Sequence, residues 1–241
     1  MVASADRIPP RNRTYRSGRR AEQARRTRAR ILTAATERFL AVGYAATTMR
    51  SVATAAEVSV PTIELIFRTK AQLLKEAIDV AIAGDDAPIP MLERDWASAA
   101  GRAPDAGTFL ATFARALREA AVRSAGLIVA AQEAAPGDPE IGALTRRLSE
   151  QRAITVGWVV DGLRERARLR PGLTRRMAVD TMWFLMDPTV FTRLHRDRGW
   201  TPAEFERWFV DSCTVLLLAA GSDQSPRAHG AGRGLSGREK P

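Results

Sequence analysis

Residues 47–67 run Thr47-Thr48-Met49-Arg50-Ser51-Val52-Ala53-Thr54-Ala55-Ala56-Glu57-Val58-Ser59-Val60-Pro61-Thr62-Ile63-Glu64-Leu65-Ile66-Phe67. The spacing predicts two short helices, Thr48–Ala55 and Val60–Phe67, joined by the tight turn Ala56-Glu57-Val58-Ser59. Each helix is too short to stand alone, so the two must pack on each other and on their neighbours. Val52 is placed toward the core of the pair, Ala53 permits close approach, and Val58 plugs the turn. Ile63 and Phe67, four residues apart, anchor the second helix by its inner face. Ser59 is expected as that helix's N-cap, which leaves its first amides and positive end facing solvent or a phosphate. Val60, Pro61, Thr62 and Glu64 are then expected to face outward, where a major groove can receive them. This is a helix-turn-helix over residues 48–67.

The flanks support that reading. Upstream, Ile31, Ala35 and Phe39 recur at helical spacing with Leu32 and Val42 beside them, and Gly43 ends the helix as a C-terminal glycine does. Downstream, Thr69-Lys70-Ala71-Gln72 has a capping-box pattern and opens a helix through Leu73, Leu74, Ala77, Ile78 and Ile82 to Gly84. Charge is uneven. Ten arginines stand against Asp6 and Glu22 in residues 1–30, while the tail carries a small excess of cations and residues 31–221 are neutral in sum. A basic arm on a neutral body points to a polyanionic partner beside the helical module.

Residues 27–83 resemble the DNA-binding domain of TetR-type (TetR/AcrR) transcriptional regulators. The resemblance rests on Ile31-Leu32-Thr33-Ala34-Ala35, Phe39, Gly43-Tyr44, Thr47-Thr48, Val52-Ala53, Val58-Ser59 and Phe67-Arg68-Thr69-Lys70-Ala71-Gln72-Leu73-Leu74, all in register. It implies an all-α protein with an N-terminal DNA-binding module and a C-terminal ligand-binding, dimerising domain. It further implies that Thr48 and Lys70 contact phosphates and that Thr62, with the outward face of its helix, reads bases. The chain departs from the family in the second short helix. Val60, Pro61 and Glu64 stand where relatives carry a polar residue, glycine and tyrosine. The segment Ser59–Phe67 is therefore acidic, and backbone affinity is expected to shift to Arg50, Arg68, Lys70 and the arm, with Arg25, Arg26 and Arg28 reaching the adjacent minor groove. A glutamate such as Glu64 can accept from a cytosine amino group, and Val60 can pack on a thymine methyl.

The expected organisation is a disordered basic arm over 1–20, the DNA-binding module over 21–84, a helical ligand-binding and dimerisation domain over 91–220, and a disordered tail over 221–241. Asp85–Pro90, with two prolines and two acids, reads as the linker. Beyond it, helices are expected near Met91–Ala99, Ala106–Arg123, Ser124–Ala134, Pro139–Ala167, Thr174–Phe184 and Pro202–Ala220, with Pro188 interrupting or kinking the fifth. Trp96, Phe109, Phe113, Trp158 and Trp183 are the candidate lining of an effector pocket, suited to a neutral, largely apolar ligand. Phe205, Trp208, Phe209, Ser212, Val215, Leu216 and Ala219 form a stripe wider than one core face needs, which a second copy of the same helix would cover. Cys213 lies within the stripe and is read as a small buried hydrophobe.

The partners expected are double-stranded operator DNA, a small-molecule effector and a second copy of the chain. No cofactor, metal site or catalytic residue is expected. One cysteine and the two histidines His195 and His229 supply few ligands, and no nucleophile–base pair, paired carboxylates or phosphate loop stands out. With no 18-residue apolar run and no apolar leader, the chain reads as soluble and cytoplasmic.

Overall fold

Helix α1, Arg13–Ala46, is the longest element, and its inner side decides where the core of the DNA-binding module sits. Ile31, Leu32, Ala34, Ala35, Phe39 and Tyr44 are buried along it. Gly43 breaks the helical path with φ 75° and ψ 174°, a conformation glycine adopts without steric cost. The computed structural model describes residues 13–220, and among them the chain forms ten α-helices and no strand. The others are α2 (Met49–Ala55), α3 (Val60–Phe67), α4 (Lys70–Ala83), α5 (Asp95–Gly101), α6 (Ala106–Ala134), α7 (Pro139–Arg166), α8 (Arg175–Leu185), α9 (Pro188–Thr192) and α10 (Pro202–Leu217).

Local chemistry sets most of the boundaries. Thr48, Ser59, Thr69, Asp105, Asp138, Thr174, Asp187 and Thr201 each accept a hydrogen bond from an amide in the first turn of the helix that follows. Proline stands within the first two positions of α3, α7, α9 and α10, where its missing amide hydrogen costs nothing.

Two expectations are corrected and a third is resolved. The disordered arm over residues 1–20 gives way to helix at Arg13, because Ala and Arg favour helix and no glycine or proline interrupts residues 19–30. The rest of that arm, residues 1–12, and the expected disordered tail 221–241 lie outside the described residues. The two helices expected across Ala106–Ala134 are one, α6, since the Ser124 hydroxyl bonds back to the Ala120 carbonyl and the ladder continues. Of the two outcomes expected at Pro188, the structure shows the interruption: α8 ends at Leu185 and Pro188 opens a separate short helix, α9, capped by Asp187.

The module around α1–α4 does not stand apart from the rest. Leu127 and Ala131 of α6 and Ile141 and Leu144 of α7 are buried in the same apolar cluster as Phe39, Val52, Ile63, Phe67, Leu73 and Ile78. Gly126 lets α1 approach: a Cβ there would meet the Leu40 Cδ2 at 2.6 Å. A second core, around Phe109, Phe113, Val156, Val160, Met182, Phe209 and Leu217, fills the distal part of the bundle. The chain after α7 is pinned to the end of α10, with the Arg170 amide donating to the Leu217 carbonyl at 2.9 Å and the Ala219 amide to the Arg168 carbonyl at 2.9 Å.

Candidate nucleic-acid interface

The candidate DNA-binding face is built by α2, its turn and α3. Thr48 and Ser51 close a reciprocal capping box at the start of α2: the Ser51 amide donates to the Thr48 hydroxyl at 3.0 Å and the Thr48 amide to the Ser51 hydroxyl at 3.2 Å. Ser59 caps α3, accepting from the Thr62 amide at 3.3 Å, and its hydroxyl lies 2.8 Å from that of Thr62. Ile63 and Phe67 are fully buried, Val52 and Ala53 are buried beneath them, and Val58 packs against the same cluster. This fixes the rotation of α3 about its axis. Pro61 and Glu64 are exposed, and Thr62 is half-buried. Val60 is also half-buried, because its side chain packs back onto the module's core. Thr48, Arg50, Ser59 and Arg68 are exposed around this face. Arg68 turns the chain from α3 to α4 at φ 61° while its amide holds the Glu64 carbonyl at 3.0 Å.

Lys70 and Arg28 sit differently from the expectation. The Lys70 ammonium donates to the Tyr44 carbonyl at 2.9 Å and the Thr47 carbonyl at 3.0 Å and lies 4.1 Å from the centre of the Tyr44 ring. It caps the end of α1, where carbonyls have no helical partner, and partial burial lowers its pKa. One ammonium hydrogen is left for a phosphate. Arg28 is tied to Glu76 of α4 and to Asp86, the latter at 2.8 Å, and roofs the Phe67 ring at 5.1 Å. These bonds raise its pKa and hold it as a strut between α1 and α4, so Arg28 does not point into a minor groove. Arg25 and Arg26 remain exposed, each bridged to Glu22, at 2.6 and 2.9 Å. Such exposed pairs contribute little and exchange readily for a phosphate.

Several contacts join this face to the bundle. The Tyr44 hydroxyl donates to Asp138, the cap of α7, at 3.1 Å, and the Thr69 hydroxyl donates to Glu140 at 3.2 Å. Arg123 of α6 donates to the Ala81 and Ile82 carbonyls at 2.8 and 3.2 Å, at the C-terminal end of α4. A shift of α6 or α7 is therefore felt directly by α1 and α4.

In the bundle, four of the five candidate pocket residues come together. Trp96 lies 5.8 Å from both Phe113 and Trp158, and Phe109 lies 5.6 Å from Trp158, centre to centre. The rings occupy the space between them, and a Cβ at Gly162 would strike the Phe109 ring. The Trp96 indole nitrogen is buried with no hydrogen-bond partner, which leaves one unpaired donor in an apolar cluster. Trp183 packs against the same core but has polar neighbours. The Arg152 guanidinium stacks on it at 4.3 Å and pairs with Asp187 at 2.9 Å, while the Thr189 hydroxyl meets Gln132 at 3.2 Å. The sequence reading missed this polar layer between the two cores, although Asp187-Pro188 repeats the cap signal of Asp138-Pro139.

The expected pairing stripe divides in two. Phe205, Phe209, Cys213 and Leu217 recur every fourth residue and are buried within their own subunit. Trp208 is half-buried against the same cores, and Ala219 lies past the end of α10, held to Arg168. Val215 (69% exposed), Leu216 (40%) and the half-buried Ser212 are left facing outward. On α8, which packs against α10, Met177 (51%) and Phe184 (64%) are exposed two turns apart. The sequence reading missed these two because an isolated Met or Phe on an amphipathic helix defaults to core. Cys213 is fully buried, and burial pushes its thiol pKa up to about 12. It is therefore expected to resist an alkylating reagent at pH 8 in the folded protein and to react at once in denaturant. Rapid reaction in the native state would contradict this burial. His195 rests on the Phe191 ring and its Nδ1 lies 2.7 Å from the Trp200 carbonyl. Among the described residues no group of three or more His, Cys, Asp or Glu is arranged to hold a metal ion, and no helix is long and apolar enough to cross a membrane.

Comparison with known proteins agrees with this geometry. Residues 31–77 match the family model described as bacterial regulatory proteins, tetR family. No curated protein sequence matches the chain. The solved structures it resembles include NalD of Pseudomonas aeruginosa, the secondary repressor of the MexAB-OprM multidrug efflux pump, at 19% identity and TM-score 0.61, covering 83% of this chain and 99% of that one. A transcriptional regulator from Rhodococcus sp. Rha1 aligns at 15% identity and TM-score 0.58, over 83% of this chain and 99% of that one. The regulator FadR from Bacillus subtilis, solved in complex with stearoyl-CoA, aligns at 18% identity and TM-score 0.60, over 77% and 96%. Residues 31–77 thus match the tetR-family module, and the rest of the chain shares the all-α fold of these solved regulators.

Proposed function

We propose that the chain is a homodimeric repressor that holds a roughly palindromic operator and releases it when a small, neutral, largely apolar molecule enters the bundle. The observation that carries the dimer is the exposure of Met177, Phe184, Val215 and Leu216 on two touching helices, apolar surface that a second copy would cover by two-fold symmetry. Pairing there sets two copies of α3 on one side of the assembly, at successive major grooves. In this reading Thr48, Arg50, Ser59, Pro61, Thr62, Glu64 and Arg68 form the DNA face, Lys70 adds one phosphate contact, and Arg25 and Arg26 flank it. Such a protein works in the cytoplasm, beside its DNA.

The effector reading draws on the aromatic cluster and on the unpaired Trp96 donor, which a ligand carbonyl or ether oxygen would satisfy. Among the structural neighbours, NalD represses a multidrug efflux pump and FadR was solved with stearoyl-CoA, whose acyl chain is apolar. The close packing of the four rings favours a second reading, in which the bundle only dimerises and no effector exists. The two readings separate in one assay. DNA bound by the purified protein is challenged with a panel of neutral aromatic and acyl compounds. Release by a compound that also quenches tryptophan fluorescence supports the effector. Retention against the whole panel favours the dimerising bundle.

The phosphate assignments make a narrower prediction. Arg50→Ala and Arg68→Ala are each expected to weaken binding to all DNA and to flatten the plot of log affinity against log salt by about one. A slope identical to that of the unmodified protein would remove that arginine from the interface. Arg28→Ala is expected to lower thermal stability without changing the slope.

A further inference from the structure

Leu65 is 84% exposed, more than any other large apolar residue among those described. At about 100° per residue it stands about 180° from the midpoint of Ile63 and Phe67, so it is the residue of α3 aimed most directly away from the module. Pro61, one turn earlier, and Glu64, beside it, share the exposed side. No lysine or arginine lies between Val60 and Phe67. A helix with this face brings no cation into a groove. It reads with a carboxylate and with carbon. The apolar feature that the major groove offers is the 5-methyl group of thymine. Val60, which the sequence reading assigned to such a methyl, already packs against the module's core.

We propose that Leu65 is a specificity-determining residue that packs its isobutyl group on the 5-methyl of one thymine in each operator half-site. The proposal rests on the DNA-reading role of α3. Exposure gives Leu65 nothing to do for folding, and burying it against a base removes more apolar surface from water when the methyl is present. Carbon against carbon also adds nothing to the neutralisation of phosphates, so the contact selects sequence without steepening the salt dependence.

The experiment uses the full chain and a duplex recovered by selection from a random pool. Each thymine of the half-site is replaced in turn by deoxyuridine, which deletes only the methyl. At one position the unmodified protein is expected to bind about fourfold more weakly per half-site, the worth of one buried methyl. Leu65→Ala is expected to bind the thymine and uracil duplexes equally there, with its melting temperature and salt slope unchanged, and Leu65→Met to keep part of the preference. Equal binding of thymine and uracil at every position overturns the proposal. So does discrimination that survives Leu65→Ala, or a recovered half-site without thymine. Failure of the selection to yield any shared sequence strikes earlier, at the DNA-reading role of α3 itself.

Discussion

Phe184→Glu combined with Val215→Glu is expected to yield a monomer and to weaken operator binding by about a hundredfold or more, the loss that follows when two linked sites become independent. Both side chains are largely exposed in the single subunit, so the charges meet water and the fold is kept. In a dimer the same positions are closed off, and two pairs of carboxylates would be buried without partners. Sedimentation gives the mass and a mobility shift gives the affinity, both at one salt concentration. A double variant that sediments as a dimer with full affinity places the pairing face elsewhere. Single substitutions of Phe205 or Phe209, by contrast, are expected to damage folding, since both rings are buried within their own subunit.

Asp187→Ala is expected to be the most damaging single change in the polar layer, lowering stability by about 3–5 kcal/mol. The Arg152 side chain is 14% exposed and that of Asp187 20%, so each charge has little water to replace a lost partner. Burial already lowers the Arg152 pKa, and its Nε has no hydrogen-bond partner, so Asp187 is the charge that justifies the guanidinium there. The same carboxylate caps α9 through the Thr189 amide at 2.8 Å, which adds the loss of a cap to the stranded cation. Asp187→Ala with Arg152→Met is expected to recover most of the loss, because the cation leaves with its partner. Thermal or denaturant unfolding measures both variants. Equal instability of the single and double variants would show that packing, not charge, holds this layer.

What was legible in the sequence was whatever short-range chemistry fixes. Thr48, Ser59 and Thr69 announce three helix starts, and each hydroxyl accepts the amide that such a cap requires. Ile63 and Phe67 announce the inner face of α3 and are fully buried. The partners of long charged side chains were not legible. Nothing local to Arg28 reveals Glu76 or Asp86, which come to it only when α4 folds back on α1. Lys70 was read from its place at a helix start, while its ammonium reaches the other way, to the carbonyls that close α1. The stripe of α10 failed for a related reason. Two rows, one facing the bundle and one facing out, merge in a helical projection until the neighbouring helices are in place. Leu65 is the opposite case. Its position opposite Ile63 and Phe67 follows from spacing alone, yet the outward face read from the sequence stops at Glu64.

Whether two copies of α3 read base order in adjacent major grooves is decided by enriching a random DNA library on the whole chain and sequencing what survives. The expected survivors carry an inverted repeat whose half-sites are centred about one helical turn, or a whole number of turns, apart. Survivors with no common sequence, or with a single unrepeated element bound by one subunit, would contradict that reading.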